Sequence, residues 1–384
     1  MGANFKTQAL DRQLALRMKL VYQLSSLQAA RGLAALVVLA FHSLFINAKY
    51  VQGESLLPEI FVFGQTGVDL FFSISGFVMI IAFRDKFGVK GEIFNFLKNR
   101  FFRIYPIYWV YFAALLLVFK IRPEIINSSQ NGDVNLTTSF FLLPYSALPL
   151  LMVAWTLIHE VWFYLVFAVI LLLPRKWVFG AFMTWLTAIV CISLFTNTPS
   201  NSYLRIMTHE FSLEFIFGAL AGLAYLKLVR RPINNSFAAT ALLLTGLGGI
   251  AYALITGVVD ESDVAQSISL ERAFAVGGSY TVLLLAFALQ ESQNRLNVPR
   301  LLKSIGDISY SLYLSHILTL SVCGRLWQFM GSTVNGVWGA ITFWIISYAA
   351  VFMVAYLSYR LIEKPILNFV AAYRNSKIKT TLNN

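Results

Sequence analysis

The chain has 384 residues, of which 58% are apolar and only 12% charged, with a mean hydropathy of +0.69. That composition excludes a soluble globular domain, and the length excludes a single membrane anchor. A net charge of +12 is large enough for nucleic-acid binding by number alone, but the cations are distributed as in a membrane protein, so no nucleic-acid partner is expected.

Residues 1–23 carry Lys6, Arg12, Arg17 and Lys19 around short apolar patches, with no small-residue cleavage site after the first long apolar run. They read as a cytoplasmic extension. Mainly apolar segments of spanning length follow near 26–47, 66–83, 104–120, 154–173, 177–195, 208–226, 237–257, 271–290, 305–329 and 338–360. The stretch 137–153, broken by Pro144 and Pro149, reads as half-inserted or interfacial. With the N-terminus inside, Lys49, Lys120, Arg122, Arg205, Arg272 and Arg325 fall in outer loops and Arg31 within the first span. Every other Lys and Arg of the 30 falls in an inner segment. The expected fold is an all-α polytopic bundle of about ten transmembrane helices with both termini cytoplasmic. Its transmembrane domain covers 24–366, and a short basic inner-surface tail covers 367–384. Cys191 and Cys323 lie in apolar segments without ligand spacing, so they read as packing residues, and no metal site is expected. No internal repeat is visible, which weakens a transporter built from two related halves.

Chemistry is concentrated in a few buried polar positions. Arg31 and His42 are eleven positions apart in one apolar run; at ~100° and ~1.5 Å per residue they share a face and lie about 16 Å apart along the axis. Ionisable groups within a span face a bundle interior or a water-filled cavity, so the pair marks a polar pathway. With the second and fourth spans running inward, Asp69 and Glu160 fall at a depth similar to that of His42, and a carboxylate beside the imidazole would make it a general base. Asp69 is also placed to cap the helix start after Gly67. At the inner end, Arg100 and Arg103 share a helix face with Lys98 nearby, suited to phosphates or equally to setting topology. Ser75, Glu214, Tyr310 and His316 are further candidates for lining the cavity, His316 alternatively bonding a neighbouring helix, while His159 and His209 read as solvated or interfacial.

The ordered pieces LQAARGLAALVVLAFHS, GVDLFFSISGF (67–77), RFFRIYPIYW (100–109), WTLIHEVWFYL (155–165), LEFIFGALAG (213–222), ISYSLYLSH (308–316) and the closing Glu363-Lys364-Pro365 resemble the acyltransferase-3 family of bacterial integral-membrane O-acyltransferases. The resemblance runs from about Leu24 to Pro365. It implies a multi-pass protein of the bacterial inner membrane that takes an acyl group, usually acetyl, from cytoplasmic acyl-CoA to a hydroxyl of an exopolysaccharide or lipid-linked glycan. Acyl-CoA is then a donor substrate, with no tightly bound cofactor, and polysaccharide biosynthesis proteins are a further class of partner. By motif match, His42 takes the catalytic place with Arg31 as its paired arginine, Arg100 and Arg103 match the Arg-x-x-Arg motif, and Glu160 matches an acidic position of the fourth span.

Together these readings predict a cationic inner end, where Arg31, Arg100 and Arg103 hold the CoA phosphates. They also predict an outer chamber where His42, oriented by Glu160 or Asp69, activates the acceptor hydroxyl. Ser73, Ser75 and Tyr310 leave a covalent relay open beside direct transfer. A proton-coupled transporter or flippase of a polysaccharide precursor, and a non-catalytic scaffold, are the competing readings.

Overall fold

The computed structural model describes residues 24–51, 56–126, 133–196, 198–229, 236–259, 265, 267–330 and 336–372. The expected extension at 1–23 and the expected tail from 373 onward lie outside the described residues. The elements are helical throughout: α1 (Ser25–Tyr50), a 3₁₀ stretch (Glu59–Thr66) running into α2 (Gly67–Phe83), α3 (Glu92–Ile121), the short α4 (Leu136–Phe141), α5 (Trp155–Leu171), α6 (Arg175–Phe195), the short α7 (Ser202–Thr208), α8 (Phe211–Leu228), α9 (Ser236–Thr256), α10 (Leu270–Ser292), the short α11 (Arg300–Asp307), α12 (Ser309–Phe329) and α13 (Gly336–Ser358), which continues through a π turn (Tyr359–Glu363).

Nine helical runs among the described residues are long and apolar enough to cross a bilayer. The expected tenth span, 305–329, is α12, a 21-residue helix about 31 Å long. Its Ser309, Ser311, Ser315 and His316 dilute its apolar character, and all four are buried. Its polar first half is therefore packed inside the bundle, away from lipid.

Close helix approach builds the core. A Cβ placed on Gly76 would lie 2.0 Å from the Phe215 carbonyl oxygen, and one on Gly218 would lie 1.9 Å from that of Ser73, so α2 and α8 touch backbone to backbone. Beside this seam the rings of Phe72, Phe163, Phe211 and Phe215 pack edge-on or stacked at 4.9–5.1 Å between centroids. At the start of α1 the backbone N–H groups of Ser25 and Ser26 donate to the two carboxylate oxygens of Glu291, at 2.7 and 2.8 Å. First-turn N–H groups have no partner within their own helix, so an anion from α10 both caps α1 and fixes its position.

The segment ahead of α5 dips into the bundle. Tyr105 and Tyr108 donate their hydroxyls to the carbonyls of Phe141 and Ser139, and Trp109 donates its ring N–H to Phe140 at 3.0 Å. These partners sit in the middle of α3, about 20 Å before its end at Ile121. Leu142, Leu150 and Leu151 are buried. As a result α5 starts well inside the bundle, which displaces every residue on it from the depth that segment ends alone imply.

The two cysteines differ from expectation in one case. Cys323 is half-buried against the Trp344 and Leu320 cluster, but Cys191 is exposed on the bundle surface and packs no core.

Candidate active site

A cavity of about 90 Å³, open at its mouth, lies between α1, α2, α3, α5 and α12. Arg31 comes from α1, Arg100 and Arg103 from α3, Glu160 and Tyr164 from α5, Ser75 and Val78 from α2, and Tyr310 and Tyr313 from α12. Three guanidinium groups from two helices thus converge on one space. The i, i+3 spacing of Arg100 and Arg103 aims both along one face of α3, and the Arg31 side chain enters from the facing helix.

Each arginine is held by specific neighbours. The Arg100 guanidinium lies over the rings of Phe96 and Tyr164, at 5.5 and 5.2 Å, and its buried Nε makes no hydrogen bond among the described residues. Arg103 lies 5.8 Å over Tyr310 and 3.7 Å from a carboxylate oxygen of Glu363. That carboxylate, buried, also accepts the Ser311 hydroxyl at 2.6 Å. Glu160 accepts a hydrogen bond from the Tyr164 hydroxyl. Tyr310 donates to the Ile104 carbonyl at 2.9 Å, beside Pro106, and so pins the arginine-bearing turn of α3 to α12.

Glu160 is therefore found with the arginines and not beside His42. The dipping segment before α5 is the reason, since it lowers the whole helix relative to a start at the surface. The same displacement places His159 in the interior, where it meets His209 from the turn between α7 and α8; the two are 1% and 2% exposed, with ring centroids 4.5 Å apart and Phe72, Trp155 and Phe211 around them. Solvated or interfacial roles do not fit that packing.

Asp69 does not orient His42 either. Its two oxygens accept from Nε and Nη2 of Arg272, at 3.1 and 2.9 Å, and Nη1 of the same arginine donates to Gln65 Oε1 at 3.1 Å. Both members of the ion pair are fully buried. A short π-helical stretch, Ala273–Gly278, follows Arg272 directly, and its extra residue per turn re-aims the backbone there. Glu214 is buried next to this group, with its side chain against the Cα of Gly277. It lines no part of the arginine cavity. Arg272 was assigned by sequence to an outer loop. The signal that could have recovered it is depth: it opens a span expected to run inward, as Asp69 does, so opposite charges start level. Glu363 appeared only as part of the closing motif, and nothing local marks it as the counter-ion of Arg103.

His42 lies outside the cavity lining. Its Nδ1 is 3.0 Å from the Val38 carbonyl and 3.1 Å from Nε2 of His316, and the two imidazole centroids are 4.9 Å apart. The ring of His316 in turn lies 5.8 Å from that of Tyr313, which lines the cavity and meets Phe71 edge-on at 5.7 Å. The Tyr313 hydroxyl is 2.8 Å from that of Thr156. The arginine cavity and His42 are thus linked through the Tyr313 and His316 side chains, with Tyr313 and not His42 lining the cavity.

The chain is similar in sequence to several known proteins. The chain is 28% identical over 324 residues to the exopolysaccharide production protein ExoZ of Rhizobium meliloti, covering 80% of this chain and 90% of that protein. It is 27% identical to the acyltransferase MdmB of Streptomyces mycarofaciens, covering 80% of this chain and 81% of the relative. With the peptidoglycan O-acetyltransferase OatA of Listeria monocytogenes the identity is 25%, over 89% of this chain and 55% of the relative. No solved structure matches the chain. Residues 24–360, most of the sequence and all of the helices that form the cavity, match the acyltransferase domain of one family; the chain belongs to the acyltransferase-3 family of multi-pass membrane O-acyltransferases.

Proposed function

We propose that the protein moves an acetyl group from acetyl-CoA to a hydroxyl of an exopolysaccharide or lipid-linked glycan, working in the bacterial inner membrane with its arginine cavity open to the cytoplasm. The observation that carries this reading is the convergence of Arg31, Arg100 and Arg103 in one cavity whose far wall, Tyr313, abuts the His42–His316 pair. Guanidinium groups bind phosphates through charge-assisted, often bidentate bonds, and the unpartnered Nε of Arg100 is a donor available for one. The CoA phosphates then occupy the arginine end, and the pantetheine arm carries the thioester toward Tyr313. An outward turn of that side chain, at the cost of its contact with Thr156 and its bond to the Val153 carbonyl, brings the thioester carbonyl to His42. A base at His42 removes the acceptor hydroxyl proton as the oxygen attacks, and the thiol leaves. The likeness to ExoZ, named for exopolysaccharide production, favours a glycan acceptor.

Acetyl-CoA binding to the purified protein in nanodiscs tests the donor. Arg100→Ala/Arg103→Ala is expected to weaken binding at least tenfold. Undiminished binding, together with uptake driven by a pH gradient and needing no acyl donor, overturns the enzyme reading in favour of a carrier.

A further inference from the structure

The hydrogen bonds around His42 and His316 determine which nitrogen of each neutral ring carries the proton. His316 Nδ1 lies 2.7 Å from the Tyr313 carbonyl and 3.2 Å from that of Leu312. A carbonyl only accepts, so Nδ1 of His316 holds the hydrogen and its Nε2 presents a lone pair. That Nε2 is 3.1 Å from Nδ1 of His42, which is also 3.0 Å from the Val38 carbonyl. Both neighbours of His42 Nδ1 are then acceptors, and His42 Nδ1 must be the donor. Its Nε2 is left with the lone pair.

We propose that His316 is the positioning residue of the reaction: it holds His42 in the tautomer whose Nε2 is the base, and it accepts from Nδ1–H while His42 is transiently cationic. The proposal rests on the acyl-transfer reading above. In that reaction His42 Nε2 takes the acceptor hydroxyl proton as the C–O bond forms at the thioester carbonyl carbon. The C–S bond then breaks, and the proton on Nε2 passes to the departing thiolate, so ester and free thiol are formed and the imidazole is regenerated. His316 does not touch the reacting atoms. It occupies the place that a carboxylate fills when one orients a catalytic histidine, and a neutral imidazole suits this interior because it adds no second buried charge. Its ring is fixed from behind by two carbonyls of its own helix, so the lone pair is presented without rotational search. Tyr313, whose carbonyl supplies one of those bonds, also walls the cavity, which links the orientation of His316 to the place where the thioester arrives.

Two near-isosteric replacements separate positioning from packing. The amide oxygen of His316→Gln can accept from His42 Nδ1–H, whereas His316→Met fills similar space without an acceptor of comparable strength. Acetyl transfer to glycan is measured for both in nanodiscs beside His42→Ala, with acetyl-CoA binding as the second readout. The expected result is kcat within about fivefold of the native value for His316→Gln and about 10- to 100-fold lower for His316→Met, with acetyl-CoA affinity unchanged in both. Equal kcat in the Gln and Met variants, at any level, overturns the proposal. Full transfer by His42→Ala is a different outcome, which overturns the role of His42 itself.

Discussion

Arg103 shows how much chemistry one side chain carries here. Its guanidinium faces the cavity, rests over Tyr310 and is balanced by a buried Glu363 that no nearby sequence feature announces. Arg103→Lys keeps the charge but removes the planar fork, so acetyl-CoA affinity should fall about five- to tenfold while the protein remains folded. Native affinity in a binding titration would mean that the arginine serves as a point charge only. Arg31, Arg100 and Arg103 were legible as a group because an i, i+3 pair and a lone intramembrane arginine are unusual enough to be read directly. The partners of Asp69 and His42 were not, since each is a residue more than two hundred positions away, and only the packing of helices brings it near.

At the scale of elements, the α2–α8 seam and the Asp69–Arg272 pair hold the wall of the cavity in place. Gly218→Val sets a side chain against the Ser73 carbonyl and is expected to destabilise the protein by about 1–3 kcal/mol through forced separation of the helices; thermal unfolding in detergent unchanged from native would show the seam to be slack. Arg272→Ala leaves Asp69 as an unpaired buried charge and should cost about 3–5 kcal/mol, whereas replacing both by apolar residues, Asp69→Leu/Arg272→Met, should restore most of it. Equal losses in the single and double variants would mean that the two groups do not stabilise each other. The spans themselves were readable from length and hydropathy. What misled the depth argument was the stretch 137–153: its half-inserted character was visible in Pro144 and Pro149, but its effect on α5, lowering Glu160 to the arginines and drawing His159 inside, follows only from the bonds to the middle of α3.

Across the whole molecule, Arg31 and His42, the proposed phosphate-binding end and the proposed base, stand about 16 Å apart on one helix, with Tyr313 at the cavity wall beside His316. The eleven-residue spacing of Arg31 and His42 already carried that polarity in the sequence, because helical geometry turns spacing into direction. The place of Tyr313 at the cavity wall could not be read there, as it depends on how α12 packs in the bundle. Tyr313→Ala is expected to open the passage and raise hydrolysis of acetyl-CoA without acceptor several-fold, measured as free thiol released; an unchanged rate would place the barrier elsewhere. The central claim, that the acyl group passes through the protein from the arginine end to His42, is tested most directly in proteoliposomes with labelled acetyl-CoA sealed on one side and acceptor glycan supplied only on the other. The account predicts label on the glycan when acetyl-CoA faces the arginine end, and none with His42→Ala. Transfer only when donor and acceptor share a compartment would contradict it.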